Sequence, residues 1–209
     1  MLILFILPSV FVGLTSCSND DDEPFPSLIT EMCDVFTNNR GQITNLLMDD
    51  STMYRLRNDV SGFQPNAGYR CVSGFVLGSS GYVELLSLAP AYILYDCRKE
   101  SLRAKDPVGV VSVWRGGHRY LNMNLRPKTK GGSQEWGYLT DSVCINAAGG
   151  NTYCLSLLHG QGTDTLAYSQ DFYMSISMDS IARTFRVGDS IRLAIETWSG
   201  LRHFSVSAR

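Results

Sequence analysis

The chain has 209 residues, of which 44% are hydrophobic and 18% are charged, and it contains 6 cysteines. This composition is typical of a globular protein of one or two domains, and it excludes a disordered tail, a collagen and a cysteine-stapled miniprotein. The formal net charge of -2 gives no positive field to attract phosphates, so we do not expect nucleic acid as a partner.

The first segment of the chain is apolar. Residues 1–14 read MLILFILPSVFVGL, and no charged residue occurs before Asp20. A helix that spans a bilayer needs about 20 apolar residues, so this shorter run is typical of the core of a secretory signal. A buried N-terminal helix, the alternative, would need an amphipathic stripe. The basic residues that usually precede a signal core are missing, which suggests that the true start lies upstream.

The four residues Leu14-Thr15-Ser16-Cys17 resemble the lipobox of bacterial lipoproteins, with a branched residue, two small residues and a cysteine. The resemblance implies that residues 1–16 are a lipoprotein signal peptide and that Cys17 is acylated. Each buried methylene contributes about 0.8 kcal/mol, so several acyl chains hold a protein firmly at a membrane. We therefore expect contact with the membrane through the lipid anchor only.

An acidic segment follows Cys17. It contains four acidic residues at positions 20–23, followed by Pro24 and Pro26. Like charges extend a chain and prolines stiffen it, so residues 17–27 are predicted to be a tether. The segment is similar to the tract that directs some Gram-negative lipoproteins to the outer face of the outer membrane. A periplasmic location and a linker without a sorting role are the alternatives.

From residue 28 onward, apolar and polar residues alternate with a period of two, which is typical of half-buried strands. Phe172, Met174, Ile176 and Met178 form one such apolar face. The same pattern occurs in residues 191–196 and 203–207. Frequent glycine-, asparagine- and proline-rich turns separate these blocks, which favours short antiparallel strands over crossover helices. The sequence therefore predicts an all-β protein.

The alternation is interrupted at residues 98–107, which are rich in charge and end in Pro107. We interpret this segment as a linker between a first domain at residues 28–97 and a second at residues 108–209. Its four basic residues could form a nucleic-acid patch, but no aromatic residues alternate with them.

The order of these features resembles that of the NigD-like lipoproteins. In the first half, the similar segments are residues 45–50, 54–56 and a Pro65-x-x-Gly68 turn before residues 69–77. In the second half, they are Trp114, Gly116-Gly117, residues 120–122 and residues 172–179. The hairpin from Trp114 to Tyr120 is one residue longer here than in the family.

The resemblance implies an N-terminal OB-like small barrel followed by a C-terminal antiparallel β-sandwich. It also implies a lipid-anchored, non-enzymatic envelope protein, for which roles in bacteriocin immunity or export have been suggested. The family supplies no catalytic residues to transfer. Immunity to a co-encoded toxin is one form that a binding or shielding role could take.

Motifs for catalysis and cofactor binding are absent from the sequence. It contains no G-x-S-x-G, no phosphate-binding loop and no complete dinucleotide fingerprint. His118, His159 and His203 lie far apart and no C-x-x-C accompanies them, so we expect neither a metal nor a cofactor. A hydrolase remains the third hypothesis, and it would require two facing carboxylates with raised pKa values in a cleft.

With Cys17 acylated, five thiols remain, so at least one cannot pair within the chain. Cys144 and Cys154 flank a glycine turn, and a turn centred on Gly149 would bring them face to face in a disulfide that contributes about 3 kcal/mol. Cys33 and Cys71 lie in apolar strands and are predicted to be buried.

Aromatic side chains of the second half are the remaining candidates for recognition. Trp114, Trp136 and Trp198 could contact a ligand, and the alternative is that they pack in the core with Tyr120 and Tyr138. Alternation with Glu196 and Arg192 predicts that Trp198 is the most exposed. A row of exposed rings would favour a surface glycan-binding module, the alternative to an envelope protein with an unidentified protein partner.

Overall fold

The computed structural model describes residues 27–78, 81–99, 102–181 and 185–207, and it is built almost entirely of β-strands. The predicted signal peptide, Cys17 and most of the predicted tether lie outside these residues. In the described part of the chain, no helix is long and apolar enough to cross a membrane. The predicted all-β class is confirmed.

The first half forms a closed five-stranded barrel, which confirms the OB-like small barrel. Its strands are β1 (Leu28–Thr37), β2 (Ile43–Met48), β3 (Met53–Leu56), β4 (Gly68–Leu77) and β5 (Tyr82–Pro90). They pair in the order β1-β2-β3-β5-β4, and β4 closes the barrel on β1. All pairs are antiparallel except β3 with β5.

The barrel interior is filled by alternate side chains of its strands, because a closed sheet directs every second residue inward. Cys33 and Val35 of β1, with Leu46 of β2 and Val83 of β5, are fully buried. Phe75 of β4 completes the centre of this core. The predicted burial of Cys33 and Cys71 is confirmed, since 0% and 4% of their surfaces are exposed.

The second half is a sandwich of two four-stranded sheets. The first sheet has the order β6-β13-β8-β7, and its strands are β6 (Tyr92–Leu94), β7 (Gly109–Gly116), β8 (Tyr120–Arg126) and β13 (Phe172–Ser177). The second has the order β10-β11-β14-β15, and its strands are β10 (Glu135–Ile145), β11 (Asn151–Gly160), β14 (Ser190–Thr197) and β15 (Gly200–Ser207). A two-stranded ribbon, β9 (Lys128–Thr129) with β12 (Tyr168–Ser169), lies beside them.

Two strand pairs of the sandwich differ from the predicted antiparallel arrangement. β6 pairs parallel with β13, and β11 pairs parallel with β14. In both cases the two strands are far apart in sequence, and the chain between them passes through the other sheet. The prediction of antiparallel pairing assumed strands joined by short turns, so it does not apply to these two pairs. The other pairs, β7 with β8, β8 with β13, β10 with β11 and β14 with β15, are antiparallel.

The structure places the domain transition earlier than residues 98–107. β6, assigned from sequence to the first domain, belongs to the sandwich sheet, and Ala91 directly before it donates its backbone N–H to the Arg70 carbonyl of the barrel at 2.9 Å. The second part of the predicted linker packs against β11: Lys105 bridges to His159, and Asp106 donates its backbone N–H to the His159 carbonyl at 2.9 Å. These residues are therefore part of the sandwich.

The sandwich core lies between the two sheets. Met174 and Ile176 of β13 are fully buried, as are Ile191, Leu193 and Ile195 of β14. This agrees with the alternation in the sequence. The polar face of β13 is also covered, since Ser175 has no exposed surface. Around Ser175, the outer face of the first sheet is covered by the barrel, because Arg70 of β4 donates a hydrogen bond to the Ser175 hydroxyl.

Candidate functional site

An open cleft of about 520 Å³ lies where the barrel meets the sandwich. The barrel side contributes Glu31 of β1, Asp49 and Asp50 of the turn after β2, and Val72 of β4. The sandwich side contributes residues of β7, the turn after it, and β13: Trp114, Arg115, Gly117 and Tyr173. We call this the inter-domain cleft. Because both halves of the chain line it, its shape depends on how the two are fixed to each other.

Arg70 is the centre of the contact between the halves. It lies on β4, and only 1% of its side chain is exposed. Its Nη2 donates to Asp49 Oδ2 at 2.9 Å and to Asn122 Oδ1 at 3.1 Å, and its Nε donates to Ser175 Oγ at 3.1 Å. The guanidinium carbon also lies 4.0 Å from the centre of the Tyr120 ring. A buried cation is stable only when paired in this way.

Asp34 of β1 provides the second link. It pairs with Arg70 at 3.3 Å, forms an ion pair with Arg119, and accepts a hydrogen bond from the Tyr120 hydroxyl. Arg119 and Tyr120 belong to the sandwich, whereas Asp34 and Arg70 belong to the barrel. We call this group the junction network, which comprises Asp34, Asp49, Arg70, Arg119, Tyr120, Asn122 and Ser175.

Two segments that carry the family resemblance meet at this junction. Gly116 and Gly117, at the end of β7, pack against Asp49 at the end of residues 45–50. A side chain on Gly117 would clash with the Asp49 carbonyl oxygen, and one on Gly116 would clash with the Asp49 carboxylate. Gly117 also has a φ of +55°, which disfavours other residues. The glycine pair is therefore required by close approach of the two domains.

The inter-domain cleft has an acidic side. Burial and the neighbouring charges of Asp50 and Asp49 raise the pKa of Glu31. The pKa of Asp50 is instead lowered, because its carboxylate accepts hydrogen bonds from Thr52. The hydrolase hypothesis required two facing carboxylates with raised pKa values, and these residues do not meet that requirement.

The described residues contain no group of three His, Cys, Asp or Glu side chains that could hold a metal ion. Burial raises the pKa of the Cys33 thiol to about 11 and that of Cys71 to about 12, so neither supplies a reactive thiolate. His159 is buried against the Asp106 carbonyl and Gln134, and burial lowers its pKa.

The three predicted ligand-contact tryptophans lie in three different surroundings. Trp114 is half-buried and lines the inter-domain cleft. Trp136 stacks on His159 with ring centres 4.0 Å apart, so it packs on the sandwich. Trp198 is 48% exposed, as the alternation predicted, and Lys128 lies over its ring. Tyr120 and Tyr138 are buried. The cleft therefore includes one of the three candidates.

The predicted disulfide between Cys144 and Cys154 is not formed. Both are free cysteines, and Cys144 pairs with Thr152 whereas Cys154 pairs with Ser142. Strand pairing continues to Ile145 and Asn151, which centres the turn on Ala148 and not on Gly149. The two thiols are therefore diagonal neighbours, a separation of about 7–8 Å that exceeds the usual reach of a disulfide.

A second cavity of about 580 Å³ lies beside β4 and β6 and is lined mainly by apolar residues, among them Phe63, Tyr69, Leu88 and Ile93. It has no ionic group in its lining apart from Arg70, whose guanidinium is already paired. The inter-domain cleft combines charge and aromatic surface, so it is the stronger candidate.

The importance of Asp34 and Arg70 was not predicted from the sequence. Each is a charged residue inside an apolar strand, and such residues are almost never fully buried unless paired. This was a usable signal for pairing, but it could not reveal which residues pair. Those partners come from segments up to 105 positions apart.

The comparisons with known proteins agree with this architecture. The family described as the NigD-like C-terminal beta sandwich domain matches residues 92–207, from β6 to β15. A solved structure of a NigD-like immunity protein from Bacteroides caccae has 23% identity and a TM-score of 0.61, and the match covers 88% of this chain and 93% of that one. No curated protein matches the sequence.

A second solved structure, of a protein provisionally named a lipoprotein from Bacteroides fragilis, has 12% identity and a TM-score of 0.64, with 88% of this chain and 99% of that one covered. A third, provisionally named toxin-related, comes from Parabacteroides distasonis, with 16% identity, a TM-score of 0.66, and 86% and 92% covered. At these identities the solved structures establish the fold of both halves.

Proposed function

Because the chain belongs to the family with a NigD-like C-terminal beta sandwich domain, we propose that it is a lipid-anchored, non-catalytic protein of the bacterial cell envelope that binds a protein partner in the inter-domain cleft. Anchoring is supported by the lipobox at Leu14 to Cys17. The name of the Bacteroides fragilis structure agrees with it. The acidic tether favours the outer face of the outer membrane over the periplasmic face.

The observation that carries the binding role is the way the cleft is built. Arg70, Asp34 and Asn122 bury charge and hydrogen bonds between the two domains, so the walls of the cleft are held in one arrangement. A site that is already formed loses little conformational entropy when a partner binds. Its Trp114 and Tyr173 rings provide the aromatic surface that is enriched at protein interfaces.

Immunity to a toxin is the form of this role that we favour. One structure of the same fold is named an immunity protein, and a non-catalytic surface protein can neutralise a toxin by binding alone. The glycan-binding alternative depends on exposed rings in a row. Trp136 is instead stacked on His159, and Trp198 lies in a separate turn after β14.

Photo-cross-linking in intact cells tests the protein partner. A photoreactive amino acid at Thr30, which is exposed and lines the cleft, should form a discrete adduct that protease treatment removes and glycosidase treatment does not. Val143, 51% exposed on β10 of the other sheet, is the matched control position. An adduct of equal yield at both positions, or one sensitive to glycosidase, would contradict the proposal.

The anchor is tested separately by metabolic labelling with a palmitate analogue. The unmodified chain should incorporate the label and fractionate with the outer membrane. A Cys17→Ala variant should lose the label, whereas a Cys144→Ala variant, which removes an exposed thiol of the sandwich, should keep it. Label retained by the Cys17→Ala variant would show that acylation occurs at another residue, and an unmodified chain without label would show that the anchor is absent.

A further inference from the structure

We propose that the inter-domain cleft recognises the guanidinium group of an arginine side chain on the partner. This inference names the chemistry of the partner at the site, and it rests on the proposed function for the ligand being a protein. Three features carry it: two aromatic residues of the cleft on one sheet face, a buried acceptor without a donor on the strand between them, and a carboxylate of the cleft that no described residue pairs in a salt bridge.

The aromatic residues lie on the same face of the first sandwich sheet. Trp114 of β7 pairs with Asn122 of β8, and Tyr173 of β13 pairs with Asn124 of β8. Directly paired residues project from the same face of a sheet, and one intervening strand places β7 and β13 about 10 Å apart. Both side chains line the cleft. Aromatic faces attract cations, and a guanidinium stacks on them as a flat group.

Asn124 lies on the strand between these two residues. Only 6% of its surface is exposed, and its Oδ1 is buried without a hydrogen-bond partner among the described residues. Its Nδ2 is directed to Asp171 Oδ2 at 3.4 Å. The register with Tyr173 directs Asn124 to the face that carries the cleft. A buried acceptor without a donor is unfavourable, so this oxygen fits an N–H group supplied from outside.

Glu31 adds negative charge from the barrel side. Its side chain is exposed in the cleft, and within the described part of the chain no donor bonds to its carboxylate. Asp49 is neutralised by Arg70 at 2.7 Å. Arg115 also lines the cleft and keeps its positive charge, because the carbonyl oxygens of Gly117 and Ser207 and the His118 ring hold its guanidinium without cancelling that charge. The two carboxylates of Glu31 and Asp50 outnumber this one cation, so the cleft attracts a further positive charge.

Arginine fits these groups better than other ligands. Its guanidinium has five donors in one plane, so it can bond to a carboxylate and an amide oxygen while it stacks on a ring. A lysine ammonium is more strongly hydrated and does not stack in this way. An anionic ligand would be repelled by Glu31 and Asp50, and a neutral sugar would make no use of their charge.

The test compares two short capped peptides that differ in one residue, arginine in one and its neutral analogue citrulline in the other. The full-length protein in detergent should bind the arginine peptide about tenfold more tightly, because a hydrogen bond to a charged group is worth roughly a factor of ten or more. The Glu31→Gln variant should lose this preference. The Glu84→Gln variant, which changes an exposed residue of β5 outside the cleft, should keep it.

A Trp114→Leu variant should weaken binding of both peptides while the melting temperature stays close to that of the unmodified protein. Equal affinity for arginine and citrulline, or an unchanged preference in Glu31→Gln, would overturn the inference. If the cross-link at Thr30 forms but the arginine peptide does not compete with it, the protein partner stands and the arginine contact is wrong. If the peptide binds and no protein adduct forms, the proposed function fails instead.

Discussion

Arg70 is the residue on which the attachment of the two domains depends most. It is buried, and it contacts Asp34, Asp49, Asn122 and Ser175 at once. Removing one partner of a buried ion pair leaves the other charge desolvated, at a cost of about 3–5 kcal/mol. The sequence indicates only that a charge interrupts a strand. It cannot indicate that four partners from both halves of the chain surround that charge.

We expect the Arg70→Ala variant to lower the free energy of unfolding by about 3–5 kcal/mol, because Asp34 and Asp49 lose their cation. Urea denaturation followed by circular dichroism measures this difference. Arg55→Ala is the control, since Arg55 is exposed on β3, and it should change the value by no more than about 0.5 kcal/mol. Similar losses for the two variants would show that the junction network contributes little to stability.

Glu31 should make binding of the arginine peptide dependent on pH. Burial, Asp50 and Asp49 raise the pKa of Glu31, and protonation removes the charge that attracts the cation. Affinity should therefore be full above this raised pKa and fall as the pH decreases through it, whereas the arginine side chain stays charged throughout. Titrations between about pH 7 and about pH 4 should show this fall, and the Glu31→Gln variant should show a much flatter profile. A steep fall in that variant would assign the effect to another group.

At the scale of elements, the turn from β7 to β8 is fixed by its contact with the barrel. Gly117 and Gly149 both have a positive φ, +55° and +79°, but only a side chain on Gly117 would meet another atom. We expect Gly149→Ala to cost about 1–2 kcal/mol from its backbone conformation alone. Gly117→Ala should exceed that by about 1–3 kcal/mol, as overpacking does. Equal losses in thermal unfolding would mean that the Asp49 contact gives way easily.

The reactivity of the thiols on the β10–β11 hairpin can be predicted from their exposure. Cys144 is exposed and Cys154 is partly exposed, whereas Cys33, Cys71 and Cys97 are buried. A thiol reagent applied to the folded protein should modify Cys144 first and Cys154 more slowly, and the buried three only after unfolding. Mass spectrometry without reductant checks this. A mass two hydrogens lower, with Cys144 and Cys154 unreactive, would show that the disulfide forms after all.

The elements also show what the sequence could and could not predict. Alternation identified the apolar faces of β13 and β14, since Met174 and Leu193 are buried as expected. The register of the β10–β11 hairpin could not be predicted from the sequence. A shift of the turn centre by one residue, from Gly149 to Ala148, moves Cys144 and Cys154 from directly opposite to diagonal positions. Pairing between distant strands could not be predicted either. β6 pairs with β13 across about 80 positions, and no local sequence pattern encodes that contact.

At the scale of the whole molecule, the barrel and the sandwich act together because polar contacts cover the outer face of one sandwich sheet. Tyr120, Asn122 and Ser175 occupy that face and are buried by the barrel. Buried polar groups must find specific partners, so they fix relative position more strictly than apolar surfaces do. The inter-domain cleft follows from this attachment, and neither domain forms it alone.

The measurement that tests this account most directly is the distance across the inter-domain cleft in solution. Spin labels attached without cysteine chemistry at Thr30 of the barrel and Ser112 of the sandwich, both exposed, report it by pulsed electron paramagnetic resonance. We predict one narrow distance distribution for the unmodified protein and a broad one for Arg70→Ala. A broad or two-peaked distribution in the unmodified protein would contradict a cleft held in one arrangement by the junction network.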